Sequence, residues 1–225
     1  MTASAPLLEA IELQTGPNPQ RAIIWLHGLG ADGRDFAPIV PELDLTGLPD
    51  VRFVFPHAAI MPVTINGGMA MRAWYDIIGT DLTRREDADG IRASERQVVA
   101  LIERELARGI EARHIVLAGF SQGCAMTLHT GLRYGKALAG LVGLSGYLPL
   151  ADLLEAERHE ANRQTPIFLA HGTQDPVVQY ARAKASLDAL QALGHPVSWH
   201  EYPMPHSVHP QEIADIAAFL RQVLA

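Results

Sequence analysis

The sequence predicts a single α/β domain, with a mostly parallel central sheet flanked by helices on both faces. Three observations carry this. Short apolar runs of buried-strand length alternate along the chain with longer stretches of helical period. A serine lies inside a glycine-framed pentapeptide, Gly119-Phe120-Ser121-Gln122-Gly123, between one such run and one such helix. Four features each follow a predicted strand, and sites in parallel sheets collect beyond the carboxyl ends of strands. They are the 28–33 loop, Ser121, Asp175 and His206.

In chain order, 21–27 (RAIIWLH) is the first strand, followed at once by Gly28-Leu29-Gly30-Ala31-Asp32-Gly33. Val51 to Phe55 is the next strand, ending in Pro56-His57. From 57 to 77 neither a helical nor an alternating period holds, and an irregular loop is expected. Its apolar content includes Ile65, Met69 and Trp74, the candidate substrate contacts. The alternative is a loop packed down on its own core. Asp87 caps a helix over 91–108, striped by Val98, Leu101, Ile102 and Leu106 and ended by Gly109. The strand 113–118 leads into the pentapeptide and then a helix over 122–133. A buried strand covers 139–145, and a polar helix 151–164. The strand 166–171 runs into Gly172-Thr173-Gln174-Asp175-Pro176, and a helix follows that stops at Gly194. The last strand, 197–202, leads to Pro203-Met204-Pro205-His206. The final helix opens on Pro210 and buries Ile213, Ala214, Ile216, Ala217, Leu220, Val223 and Leu224.

The 225 residues suit one domain over 1–225 with a sizeable core, and no repeat or composition break divides them. With 18 basic and 25 acidic residues the net charge is −7, and the basic residues are scattered, so nucleic-acid binding has no electrostatic footprint. Cys124 is the sole cysteine, which excludes an internal disulfide. Met1 to Pro6 carries neither the basic residues nor the apolar block of a signal peptide. The longest apolar stretch, 138–150, is interrupted by Gly140, Gly143, Gly146 and Pro149 and is too short to be an integral membrane segment. A cytoplasmic location is the expectation.

A serine in G-x-S-x-G between strand and helix forms a nucleophile elbow, in which the residues two before and two after the serine must be small. A serine hydroxyl needs a base, histidine suits that task near neutral pH, and a carboxylate on the far ring nitrogen fixes the tautomer. Ser121, Asp175 and His206 follow one another in the chain order this machinery uses. The oxyanion donors are then the Gln122 amide and one amide of the glycine loop, Leu29. That loop could also cradle phosphate, but it lacks the Gly-Lys-Ser/Thr ending of a P-loop. His209 competes with His206, but it stands beside Pro210 at a helix start. His27 and His171 fit buried structural roles. His195, His200, His206 and His209 are crowded, yet no metal-ligand spacing such as H-E-x-x-H appears, so neither metal nor cofactor is expected. Cys124 fits a small buried helix residue better than a redox thiol.

With these residues in place, the sequence resembles the small carboxylesterase and acyl-protein thioesterase family, of phospholipase/carboxylesterase type, among the α/β-hydrolases. The matching blocks are Leu26-His27-Gly28-Leu29-Gly30-Ala31-Asp32-Gly33, Pro56-His57-Ala58, Pro62-Val63-Thr64-Ile65-Asn66-Gly67-Gly68 and Trp74-Tyr75-Asp76-Ile77. They continue through the serine pentapeptide, His171-Gly172-Thr173-Gln174-Asp175-Pro176-Val177-Val178 and Met204-Pro205-His206-Ser207-Val208. The resemblance implies catalytic roles for Ser121, Asp175 and His206, oxyanion donors at Leu29 and Gln122, and a hydrophobic acyl site formed in part by residues 57–76 near Trp74. Cys124, where the family often has a further glycine, and His209-Pro210 depart from the pattern.

The expected activity is a serine carboxylesterase working through an acyl-enzyme on a small acyl ester or lipid-like substrate. A lysophospholipase or an acyl-protein thioesterase on the same triad is the alternative, and a non-catalytic fold that binds an apolar ligand the rival from another class. The apolar loop could form a substrate rim or the contact of a homodimer.

Overall fold

The computed structural model describes residues 7–79 and 86–225; Met1 to Pro6, read above for targeting signals, lies outside the described residues. The strands are β1 (Ala10–Gln14), β2 (Arg21–Leu26), β3 (Val51–Pro56), β4 (Ile60–Val63), β5 (Met69–Arg72), β6 (Ile115–Phe120), β7 (Gly140–Leu144), β8 (Ile167–Gly172) and β9 (Val197–Tyr202). The helices are α1 (Ala88–Ala107), α2 (Gln122–Arg133), α3 (Ala151–Glu157), α4 (Tyr180–Ala192) and α5 (Pro210–Leu224).

Among the described residues seven strands form the sheet, in the order β1-β3-β2-β6-β7-β8-β9. All neighbours are parallel except β1, which runs antiparallel to β3 at the edge. The central strands are buried on both faces, which is why they read as unbroken apolar runs instead of alternating ones. Ala22, Ile24 and Leu26 of β2 face a core built with α1, α2 and α4, including Ile91, Val98, Leu101, Leu128 and Leu190. Ile23 and Trp25 face the opposite core, closed by Ile216, Leu220 and Leu224 of α5. Each fully buried Ile, Leu or Val side chain among them contributes roughly 1.5–3 kcal/mol.

The helix ends follow local chemistry. Asp87 caps α1 by accepting from the Gly90 amide at 3.0 Å. His209 caps α5: its Nδ1 accepts from the Gln211 amide, and Glu212 reaches back to the His209 amide, both at 3.1 Å. Gly194, with φ of 77°, lets the chain turn after α4.

Four departures from expectation have local causes. Strand β1 (AIELQ) is half exposed at an edge and carries no apolar run. The 57–77 stretch holds a hairpin, β4 with β5, whose four-residue strands are mostly exposed and include Pro62. Its signal is Asn66-Gly67-Gly68, whose two glycines take φ of 66° and 80°. The polar helix stops at Glu157, because Asn162 turns inward to bond the Leu138 amide and the Tyr134 and Lys136 carbonyls. Ala214 points outward from α5. No described helix is long and apolar enough to cross a membrane.

Candidate active site

The pentapeptide turns as sharply as its glycines allow. Ser121 sits between β6 and α2 with φ of 55° and ψ of −116°, a backbone state that L-residues rarely hold. A Cβ on Gly119 would lie 2.2 Å from the Gly123 carbonyl oxygen, and one on Gly123 2.1 Å from that of Leu26. Only glycine fits either place. The Ser121 amide donates to the Leu144 carbonyl at 2.8 Å, which holds the turn against the end of β7.

The glycine loop lies against this turn: a Cβ on Gly28 would meet Phe120 and the Ser121 Cβ at 3.4 and 3.5 Å. His27 anchors the loop. Its Nε2 accepts from the Ala58 amide at 3.1 Å, so Nδ1 carries the proton and donates to the Gly28 carbonyl at 2.7 Å. Burial lowers its pKa and keeps it neutral. Three loop amides are already engaged: Gly30 on the Arg72 carbonyl, Ala31 on that of Gly28, and Gly33 on the His57 ring. Among the described residues the Leu29 and Gln122 amides have no acceptor. Leu29 and Gln122 line the same hollow as Ser121.

Gln122 also ties the site together through its side chain. Its Oε1 accepts from the Trp74 amide at 2.8 Å, and its Nε2 donates to the Tyr75 carbonyl at 2.7 Å. The Trp74 indole N–H donates to the His27 carbonyl at 2.9 Å. Trp74, 2% exposed, therefore braces the glycine loop from beneath.

The loops after β8 and β9 pack closely, since a Cβ on Gly172 would lie 2.4 Å from the Met204 carbonyl oxygen. This places Asp175 beside His206. The buried Asp175 carboxylate accepts from the Val177 and Val178 amides at 2.8 and 2.9 Å and from His206 Nδ1 at 2.7 Å. That bond leaves Nε2 of a neutral His206 as the basic nitrogen. The His206 ring packs on Phe120, the residue before Ser121, with centroids 4.7 Å apart.

Two hollows open here. One, of about 400 Å³, is bounded by Leu29, Ser121 and Gln122, walled by Ile65, Ile77, Val177 and Val178, and backed by Tyr75, Tyr147 and Arg182. The other, of about 430 Å³, lies against His206 and Phe120. Of the expected substrate contacts, Ile65 lines the first hollow. Met69 is 64% exposed on β5 and does not line it, and Trp74 is buried below it. Tyr75, Tyr147 and Arg182 carry no sequence signal as a group. The two phenols bond at 2.6 Å, the Arg182 guanidinium stacks 3.3 Å above the Tyr147 ring, and Glu86 pairs with it at 3.2 Å.

The competing residues have other roles. His171 is buried, donates to the Val178 carbonyl at 2.8 Å, and has its pKa lowered by desolvation. His209 caps α5. Cys124 packs under Gly143 and Gly146, and burial pushes its thiol up to about 12, far from redox reactivity despite the helix start. Among the described residues no three His, Cys, Asp or Glu side chains gather as metal ligands.

A model of the phospholipase/carboxylesterase family matches residues 9–224. Acyl-protein thioesterase 1 of Gibberella zeae is 41% identical over 213 residues, covering 90% of each chain. The protein of the same name from Yarrowia lipolytica is 37% identical over 222 residues, 96% of this chain and 98% of the other. Among solved structures, Arabidopsis thaliana SOBER1 superposes with a TM-score of 0.86 at 31% identity, over 91% of this chain and 99% of that one. Zea mays acyl-protein thioesterase 2 gives 0.84 at 29% identity, over 96% of this chain and all (100%) of that one.

Proposed function

The chain belongs to the phospholipase/carboxylesterase family of α/β-hydrolases, and from that premise we propose that it is a serine thioesterase that removes acyl groups from protein cysteines. The names of its relatives favour a thioester over the simple carboxylic ester expected from the sequence. The observation that carries the reading is the coincidence, at one sheet edge, of a strained serine, two unspent amides and an Asp175–His206 pair at 2.7 Å.

Ser121 Oγ attacks the thioester carbonyl carbon while His206 Nε2 takes its proton. The resulting oxyanion lies on the Leu29 and Gln122 amides, which need no reorganisation to receive it. The C–S bond breaks, the sulfur leaves with the proton from His206, and an ester to Ser121 remains. Water then attacks that ester with His206 again as base, releasing the carboxylic acid and restoring Ser121. Asp175 holds the imidazole in its tautomer and balances the imidazolium. The hollow walled by Ile65, Ile77, Val177 and Val178 takes the acyl chain.

The test pairs thioesters and oxygen esters of the same acyl chains, read as kcat/KM, with a fluorophosphonate probe in parallel. Wild type is expected to prefer the thioester and to be labelled at Ser121, and Ser121→Ala to lose at least ~10⁴-fold and go unlabelled. A preference for the oxygen ester restores the carboxylesterase reading. An equally active Ser121→Ala enzyme removes the mechanism.

A further inference from the structure

Ser121 lines one hollow and His206 the other, and each suits a different half of a substrate. The first is lined by Ser121, Leu29 and Gln122 and not by His206. It receives the acyl carbonyl and the chain behind it. The second is lined by His206 and Phe120 but not by Ser121. An imidazole that protonates a departing group must face that group. Of the two hollows only the second has His206 in its lining, which favours it as the place of the departing group.

Its floor is apolar, with Phe36, Ile39 and Val208, while Asp35 and Glu42 stand at its rim. Among the described residues neither carboxylate forms an ion pair. The nearby cations are taken, Arg34 by Asp32 at 3.0 Å and Arg221 by Asp44 at 3.1 Å. Partial burial, then the charge of Asp32, hold the Asp35 carboxyl above its usual range, so an incoming cation would relieve it. The hollow also shares Glu42 and Ile213 with a further recess of about 390 Å³ that follows α5. A groove of that extent suits an extended chain better than a compact alcohol.

We propose that this groove is the leaving-group subsite and takes the basic peptide segment around the acylated cysteine, with Asp35 and Glu42 meeting its Lys or Arg side chains. The proposal rests on the thioesterase reading of Ser121 and His206.

The experiment uses three S-octanoyl peptides that differ only in Lys, Gln or Glu on either side of the cysteine, with kcat/KM measured at low and high salt. Wild type is expected to favour the Lys peptide over the Glu peptide by about tenfold at low salt, and by much less at high salt. In the Asp35→Asn/Glu42→Gln double variant the ratio falls below about twofold, and in Asp35→Asn/Glu42→Lys it inverts. Each ratio is taken within one enzyme, so differences in the amount of folded protein cancel. A wild type that cleaves the Gln peptide without charge preference overturns the subsite alone, as does a preference that survives in the Asp35→Asn/Glu42→Gln variant. A wild type that cleaves none of the three overturns the thioesterase reading, and the subsite with it.

Discussion

Asp175 is the residue whose surroundings say most about its task. Its side chain is fully buried, yet each oxygen has a defined donor: two backbone amides on Oδ1 and the His206 ring on Oδ2. Replacing the carboxylate by an amide keeps the shape and removes the charge. The substituted amide can also turn its NH₂ toward His206 and favour the wrong tautomer. Asp175→Asn is expected to lower kcat on a thioester by about 10³–10⁴-fold with little change in fold by circular dichroism. A loss smaller than tenfold would remove Asp175 from the mechanism. The residues of this pair were legible in the sequence because each stands in a short loop directly after a strand, where local turn chemistry fixes the position. Tyr75, Tyr147 and Arg182 were not, since they meet only when three distant segments fold together.

Elements are held in place here by single polar contacts between loops. Trp74 links the end of the hairpin segment to the glycine loop through its indole N–H. Trp74→Phe keeps an aromatic ring in place but leaves the buried His27 carbonyl without that donor, at a cost of about 1–3 kcal/mol. A lower urea midpoint with a reduced kcat is the expected outcome; an unchanged midpoint would mean the bond contributes nothing net. At the start of α5, burial raises the Glu212 carboxyl to about 7. A carboxyl raised in the folded state favours folding fully below its unfolded pKa near 4.5, and that contribution is lost as pH rises through about 7. Glu212→Gln keeps the capping geometry without the charge. Relative to it, wild type is expected to lose on the order of 2–3 kcal/mol between pH 5 and pH 8, read from urea midpoints. Parallel pH profiles for the two proteins would contradict this. The helix boundaries themselves were largely readable from caps and stop signals. Strand β1 and the β4–β5 hairpin were not, because exposed edge pieces need no apolar run to form.

For the molecule as a whole, the alternation of apolar runs and helical periods was enough to read the parallel sheet, since a sheet buried on both faces leaves that trace in each strand. What the alternation could not reveal was that the sheet edge opens into two separate hollows, because hollows are left by side chains from many segments. The backbone of Ser121 has a consequence for the protein's heritable stability. At φ of 55° and ψ of −116° glycine is the residue that rests easily, and a serine there forfeits roughly 1–3 kcal/mol. Against this, glycine loses about 0.5–1 kcal/mol more backbone entropy on folding. Ser121→Gly is expected to melt some 2–4 °C above wild type, whereas Ser121→Ala, which keeps the strain, is not. Equal melting of the two variants by calorimetry would refute it. A lineage of this gene grown under heat, with no demand on its chemistry, would then drift to glycine at position 121, and the persistence of serine would record that the chemistry was being used.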